Sequence, residues 1–83
     1  MTITKEEFQY MVEATVSDLV RMLMEKTGAS MHEAFDAVYG SQTFRVLNNP
    51  KSTYYYQSPG YVYDQLQSEI KGNTFINNDG VAQ

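Results

Sequence analysis

Apolar side chains recur along the first third of the chain at the spacing of one helical face. Its main positions follow one another at steps of three or four residues: Phe8, Val12, Val16, Leu19 and Leu23. Three further apolar or small side chains widen this face: Met11, Thr15 and Met22. This periodicity predicts a long amphipathic helix over about residues 5–27. At 1.5 Å per residue it would be ~35 Å long and would serve as the spine of a small domain.

Local signals mark both ends of this helix. Thr4 can cap the first turn, and Glu7 can reach back to complete a capping box. Ile3 can pack against Phe8 as a hydrophobic staple, and Gly28 supplies a left-handed stop. The start and the end of the helix are therefore predicted independently of its apolar periodicity.

Two shorter helices are predicted next. Ser30 begins a second capping-box pattern, and Gly40 is a helix stop. Together they predict a helix over about residues 31–39. Ser41 can cap a third helix that ends before Pro50. Segments this short are unstable alone, so we expect both to dock on the first helix. Their predicted inward side chains are Met31, Ala34, Phe35, Val38, Tyr39, Phe44, Val46 and Leu47.

A fourth helix is predicted to begin at Ser58-Pro59, with serine as the cap and proline at the first position. It ends at Lys71-Gly72, and its predicted inward stripe is Val62, Leu66 and Ile70 with Tyr63 beside them. We therefore predict an all-α bundle of about four helices, with residues 1–72 as a single helical domain. Residues 73–83 are predicted to be a loose polar tail, although Phe75 and Ile76 could pack on the core.

Composition argues against catalysis. The 83 residues include no cysteine and one histidine, and the net charge is −4. Thiol chemistry is thereby excluded, and we find neither a phosphate-binding glycine motif nor a nucleophile elbow. We also see no leader sequence and no apolar stretch long enough for a membrane. We expect a cytoplasmic, non-enzymatic protein without a cofactor, a small-molecule ligand or a membrane partner.

The polar candidates have simple explanations. His32 and Asp36 stand four residues apart on a predicted helix, but two ligands do not make a metal site. Most carboxylates fall at helix starts or on outer faces, and we expect these to be solvated: Glu6, Glu7, Glu13, Asp18, Glu25 and Glu69.

DNA binding is the alternative function. The break at Gly40 could form a helix-turn-helix corner, with Gln42, Thr43 and Arg45 at the front of its second helix. A DNA reader must neutralise several phosphates, and the six basic residues of this chain are scattered from end to end. The charge pattern therefore argues against this function.

The tyrosines are unevenly distributed. Five of the seven lie within residues 54–63, and residues 37–63 contain no acid and two bases, a net charge of +2 that leaves −6 for the remainder. The conformation of Tyr54-Tyr55-Tyr56 is left open, but three consecutive rings cannot all point inward. The rings either close the core or form an aromatic, acid-free interface with a protein partner or a second copy. The candidate interface residues are Arg45, Lys51, Tyr54, Tyr55, Tyr56 and Tyr61.

The segment Tyr55-Tyr56-Gln57-Ser58-Pro59, followed by Tyr61-Val62-Tyr63, resembles a family of short, uncharacterised bacterial proteins with a Tyr-x-Gln-Ser-Pro-x-Tyr-Val-Tyr signature. Glu6-Glu7-Phe8 and Met22-Leu23-Met24-Glu25 match two further motifs of that family. The resemblance implies a small helical protein encoded beside toxin-like ADP-ribosyltransferase relatives, in a toxin-antitoxin or defence setting. It supplies no catalytic residues, and this chain departs from the pattern at Gly60, where a larger apolar residue is expected.

Overall fold

The computed structural model describes residues 3–72, and this part of the chain is helical without any strand. The elements follow the predicted order and confirm the all-α class. They are α1 (Lys5–Thr27), α2 (Met31–Tyr39), α3 (Gln42–Leu47), a 3₁₀ turn (Tyr54–Tyr56) and α4 (Pro59–Ile70). The prediction of a loose polar tail over residues 73–83, with the alternative that Phe75 and Ile76 pack on the core, lies outside the described residues.

The predicted helix caps are present. In α1, the Thr4 hydroxyl accepts a hydrogen bond from the Glu7 amide at 3.0 Å, and the Glu7 carboxylate accepts one from the Thr4 amide at 2.9 Å. Ser30 and Glu33 form the same reciprocal pair at the start of α2. Gly28 ends α1 at a φ of 78°, the left-handed region where a glycine is favoured. Serine hydroxyls cap the other two helices, through Ser41 in α3 and Ser58 in α4.

Helix α1 is the spine of the molecule. Its 23 residues give a length of ~35 Å, which equals the longest dimension of the molecule, 35 Å. Helices α2 and α4 and the 3₁₀ turn all pack against it, and α3 joins α2 to α4. One hydrophobic cluster fills the space between these elements, made of Val12, Val16, Leu19, Val20, Leu23, Ala34, Val38, Leu47, Val62, Tyr63 and Leu66.

The predicted inward faces of α2 and α4 are only partly correct. In α2, Ala34 and Val38 are buried, whereas the larger side chains of the predicted face, Met31, Phe35 and Tyr39, are exposed. In α4, Ile70 is half exposed although it continues the stripe of Val62 and Leu66. The reason for α2 is geometric: Ala34 and Val38 lie in the hydrophobic cluster, whereas the other side chains are only partly covered, Tyr39 by Phe44 of α3. Ile70 is the last residue of α4, at the edge of the packed layer.

The capping carboxylates predict a pH dependence of stability. Hydrogen bonds from the amide and hydroxyl of Thr4 lower the pKa of Glu7 from its ordinary 4.5, and Ser30 acts in the same way on the pKa of Glu33. Because the folded-state pKa lies below the unfolded-state value, this stabilisation is complete above about pH 5 and is lost as the pH falls through the folded-state value. The melting temperature of a Glu7→Gln/Glu33→Gln variant should be lower than that of the wild type at neutral pH.

The two melting temperatures should converge as the pH falls to about 2. Circular dichroism melts between neutral pH and this limit measure the difference. Glu13→Gln, which removes an exposed carboxylate from the middle of α1, is the matched control and should follow the wild type. A constant difference between the double variant and the wild type at every pH would contradict the assignment.

Candidate functional site

The conformation of the three consecutive tyrosines is a single 3₁₀ turn. The turn is closed by hydrogen bonds from the Tyr56 amide to the Thr53 carbonyl and from the Gln57 amide to the Tyr54 carbonyl, at 3.3 and 3.1 Å. The loop before it is fixed by the Ser52 hydroxyl, which donates to the Val46 carbonyl at 2.5 Å. The segment is therefore anchored to the end of α3 before it reaches α4.

The five clustered tyrosines divide between the core and the surface. Tyr63 is buried and Tyr54 and Tyr55 are half-buried, whereas Tyr56 is 58% exposed and Tyr61 is 42% exposed. Three consecutive rings could not all point inward, and the exposure of Tyr56 confirms this expectation. Three of the five rings thus help to close the core, and two lie at the surface, where a partner could contact them.

Each exposed ring rests on a half-buried one. Tyr61 meets Tyr54 edge to face with ring centroids 5.8 Å apart, and Tyr56 meets Tyr55 in the same way at 5.1 Å. Tyr55 in turn packs edge to face on Phe8 of α1 at 5.0 Å. Such contacts restrict the ring orientations. We call the exposed pair Tyr56 and Tyr61 the tyrosine surface.

The pKa values of two tyrosines in this cluster, Tyr54 and Tyr63, are raised. Burial raises the pKa of Tyr54, and the neighbouring Tyr61 and Glu69 add to this effect, while its hydroxyl lies 3.4 Å from the side-chain oxygen of Gln65. Burial, together with Asp64, raises the pKa of Tyr63. Within residues 3–72 the Tyr63 hydroxyl has no hydrogen-bond partner. Both phenols therefore stay neutral and act as packing groups.

The two predicted basic residues, Arg45 and Lys51, are exposed. The Arg45 guanidinium donates a hydrogen bond to the side-chain oxygen of Gln42 at 2.9 Å. The Lys51 amide donates a hydrogen bond to the side-chain oxygen of Asn49 at 2.9 Å. Of the six predicted interface residues, four are thus exposed, and Tyr54 and Tyr55 support the rings of the tyrosine surface.

A second apolar surface lies on α2, and the sequence pattern placed its residues in the core. Phe35 stacks on Tyr39 with ring centroids 5.9 Å apart, and Tyr39 contacts Phe44 at 4.9 Å. We call Met31, Phe35 and Tyr39 the α2 ridge. A groove of about 410 Å³ runs beside it, between α1 and α2, lined by Ser17, Val20, Arg21, Met24, Glu25, Met31 and Phe35. The sequence did contain a signal for this exposure: α2 has more large apolar residues than one face of a nine-residue helix can bury.

Glu69 is half-buried and hydrogen-bonded to α3, which corrects the expectation of a freely solvated side chain. Its carboxylate on α4 accepts hydrogen bonds from the Gln42 amide at 2.7 Å and from the Thr43 amide and hydroxyl at 2.9 and 2.8 Å. Thr43 is fully buried. An anionic side chain thus caps the start of α3 from a distant helix, where the helix dipole favours negative charge. We call this contact the Glu69 clamp.

The Glu69 clamp weakens the case for DNA binding. Thr43, one of the three residues at the front of the predicted reading helix, faces the core and not solvent. A carboxylate occupies the amides at the tip of that helix, where a DNA reader would contact a phosphate or a base edge. Only Gln42 and Arg45 of the three remain exposed.

His32 and Asp36 do meet on one face of α2, with 3.3 Å between the imidazole Nε2 and the carboxylate Oδ2, and both side chains are exposed. Among residues 3–72 there is no group of three or more histidine, aspartate or glutamate side chains that could hold a metal ion. The helices described here also include none with the length and hydropathy needed to cross a membrane.

Comparison of the chain with family models, with curated proteins and with solved structures finds no match. The resemblance to the family with the tyrosine signature therefore stays a prediction. At Gly60, where that signature carries a larger residue, a Cβ would meet no atom within 4 Å.

Proposed function

We propose that this chain is a small, non-enzymatic, cytoplasmic protein-binding domain that contacts its partner through the tyrosine surface. The observation that supports this proposal is the exposure of Tyr56 and Tyr61 on rings that are themselves held by the core. Tyrosine contributes a large contact area and a polar tip, and it is enriched among residues that dominate binding energies.

The charge of the chain segment that carries these rings suggests the chemistry of the partner. Residues 37–63 contain no acid, and both of their bases, Arg45 and Lys51, are exposed. The complementary surface would be acidic or neutral and would carry acceptors for the two tyrosine hydroxyls. The family resemblance suggests that this partner is the product of a neighbouring gene in a toxin-antitoxin or defence locus.

The DNA-binding alternative draws less support. Its front residue Thr43 is buried, and the Glu69 carboxylate would face the phosphates of a bound duplex. Like charges at such a position oppose binding.

The test is a double substitution, Tyr56→Ala/Tyr61→Ala. The tagged wild-type chain is used to capture partners from cells of the source organism, and the affinity of a captured partner is then measured by calorimetry with both forms. We expect the double variant to bind at least about 100-fold more weakly, because two central aromatic contacts of ~2 kcal/mol each are lost.

The matched control is Tyr10→Ala, which removes an exposed tyrosine from α1 and should leave the affinity unchanged. Circular dichroism verifies that all three proteins are folded. An unchanged affinity of the folded double variant would refute the assignment of the tyrosine surface.

A further inference from the structure

The α2 ridge and the adjacent groove form one continuous apolar surface. Phe35 belongs to both, because it lines the groove and stacks on Tyr39. The ridge residues Met31, Phe35 and Tyr39 are 58, 36 and 51% exposed. At roughly 200 Å² per side chain, they present about 300 Å² of apolar surface, which lies at the lower end of the range for the largest patch on a typical monomer.

The shape of this surface favours a copy of itself as the occupant. A two-fold interface requires the same patch on both partners to be self-complementary. Here the ridge lies directly beside a groove whose lining also includes Val20 and Met24 of α1. A two-fold rotation can therefore insert the Phe35 ring of each copy into the groove of the other.

The charges at the rim of the groove are compatible with this pairing. Arg21 lies 2.9 Å from the Asp18 carboxylate and 3.8 Å from the Glu25 carboxylate. Because both signs occur on one rim, an antiparallel copy can place its Glu25 opposite Arg21, and the arrangement is then reciprocal. The centre of the surface is apolar and carries no charge, as the centre of a protein interface usually does.

The area is consistent with a weak dimer. A stable interface buries ~800 Å² on each partner. The ridge supplies about 300 Å² of this, and the groove and its charged rim supply further contact area. We infer that this chain forms a two-fold symmetric homodimer in which the α2 ridge of each copy fills the α1–α2 groove of the other.

This dimer is independent of the proposed function, because it uses α1 and α2 and not the tyrosine surface. Sedimentation equilibrium of the full chain, at concentrations up to about 1 mM, should give twice the chain mass of 9.5 kDa. Met31→Glu and Phe35→Glu should each weaken the association at least about tenfold, because both place like charges against a desolvated copy of the same surface.

The control is Tyr56→Glu, which adds the same charge to an exposed ring of the tyrosine surface and should leave the dimer intact. Circular dichroism verifies folding, and Met31→Glu serves if Phe35→Glu fails to fold. An acid at position 31, in the first turn of α2, agrees with the helix dipole. A monomer at the highest concentration would overturn the inference, as would a dimer that persists in the folded Met31→Glu variant.

The contact itself is observed by nuclear magnetic resonance on a mixture of isotope-labelled and unlabelled chains. Intermolecular contacts between the Phe35 ring and the methyl groups of Val20 and Met24 are expected. Contacts from residues 73–83 of the same chain to Phe35 would show that the groove is filled from within, and this result would also overturn the dimer.

Discussion

Replacement of Glu69 with alanine is expected to lower the free energy of unfolding by about 3 kcal/mol. The substitution removes the acceptor for the Gln42 amide and for the amide and hydroxyl of Thr43. Thr43 is fully buried, so water cannot readily replace the lost acceptor. A buried donor without a partner costs about 1–3 kcal/mol, and the start of α3 also loses a favourable charge.

Urea unfolding at neutral pH measures this effect. Glu69→Gln retains one acceptor oxygen without the charge, and its loss of stability should be intermediate. Ser68→Ala changes the preceding, exposed residue of α4 and should shift the free energy of unfolding by less than about 0.5 kcal/mol. Equal stabilities of Glu69→Ala and Ser68→Ala would show that the clamp contributes nothing.

Leu66→Ala is expected to destabilise the fold by about 2–5 kcal/mol. Leu66 is fully buried in the cluster between α1 and α4, and alanine would leave a cavity there. A chain of this size has a net stability of about 4–12 kcal/mol. The variant should therefore be partly unfolded at physiological temperature or close to it.

Thermal and urea unfolding measure the loss of stability of this variant relative to the wild type. Ile70→Ala is the control on the same helix. Ile70 is half exposed, so its truncation should cost less than half as much as that of Leu66. If the two variants were equally stable, α4 would not pack through the face described.

The helices were predictable because their signals are local. The capping pairs Thr4 with Glu7 and Ser30 with Glu33 involve residues three positions apart, and they form in the structure as their spacing predicts. Apolar periodicity likewise identified Leu19 and Leu66 as inward-facing. Interactions within one helical turn are determined by the sequence around them, so one sequence suffices to place them.

The features that were not predicted depend on contacts between residues that are distant in the chain. Periodicity shows which residues of α2 share a side, but not that only Ala34 and Val38 would be covered. Glu69 has the sequence environment of a solvated acid, and its partner Thr43 is 26 residues away. Within the candidate site, the exposure of at least one tyrosine followed from sterics, whereas the choice of Tyr56 followed from the packing of Tyr55 on Phe8.

The Glu69 clamp also has a topological consequence. Its hydrogen bond to Thr43 joins residues 26 positions apart, and the chain between them is a closed loop that contains Tyr56 and Tyr61. Closing a loop of this length lowers the conformational entropy of the chain, and this entropy is already lost when the domain folds. A partner that reaches these rings would meet a segment already restrained at both ends, so little of its binding free energy would be spent on ordering that segment.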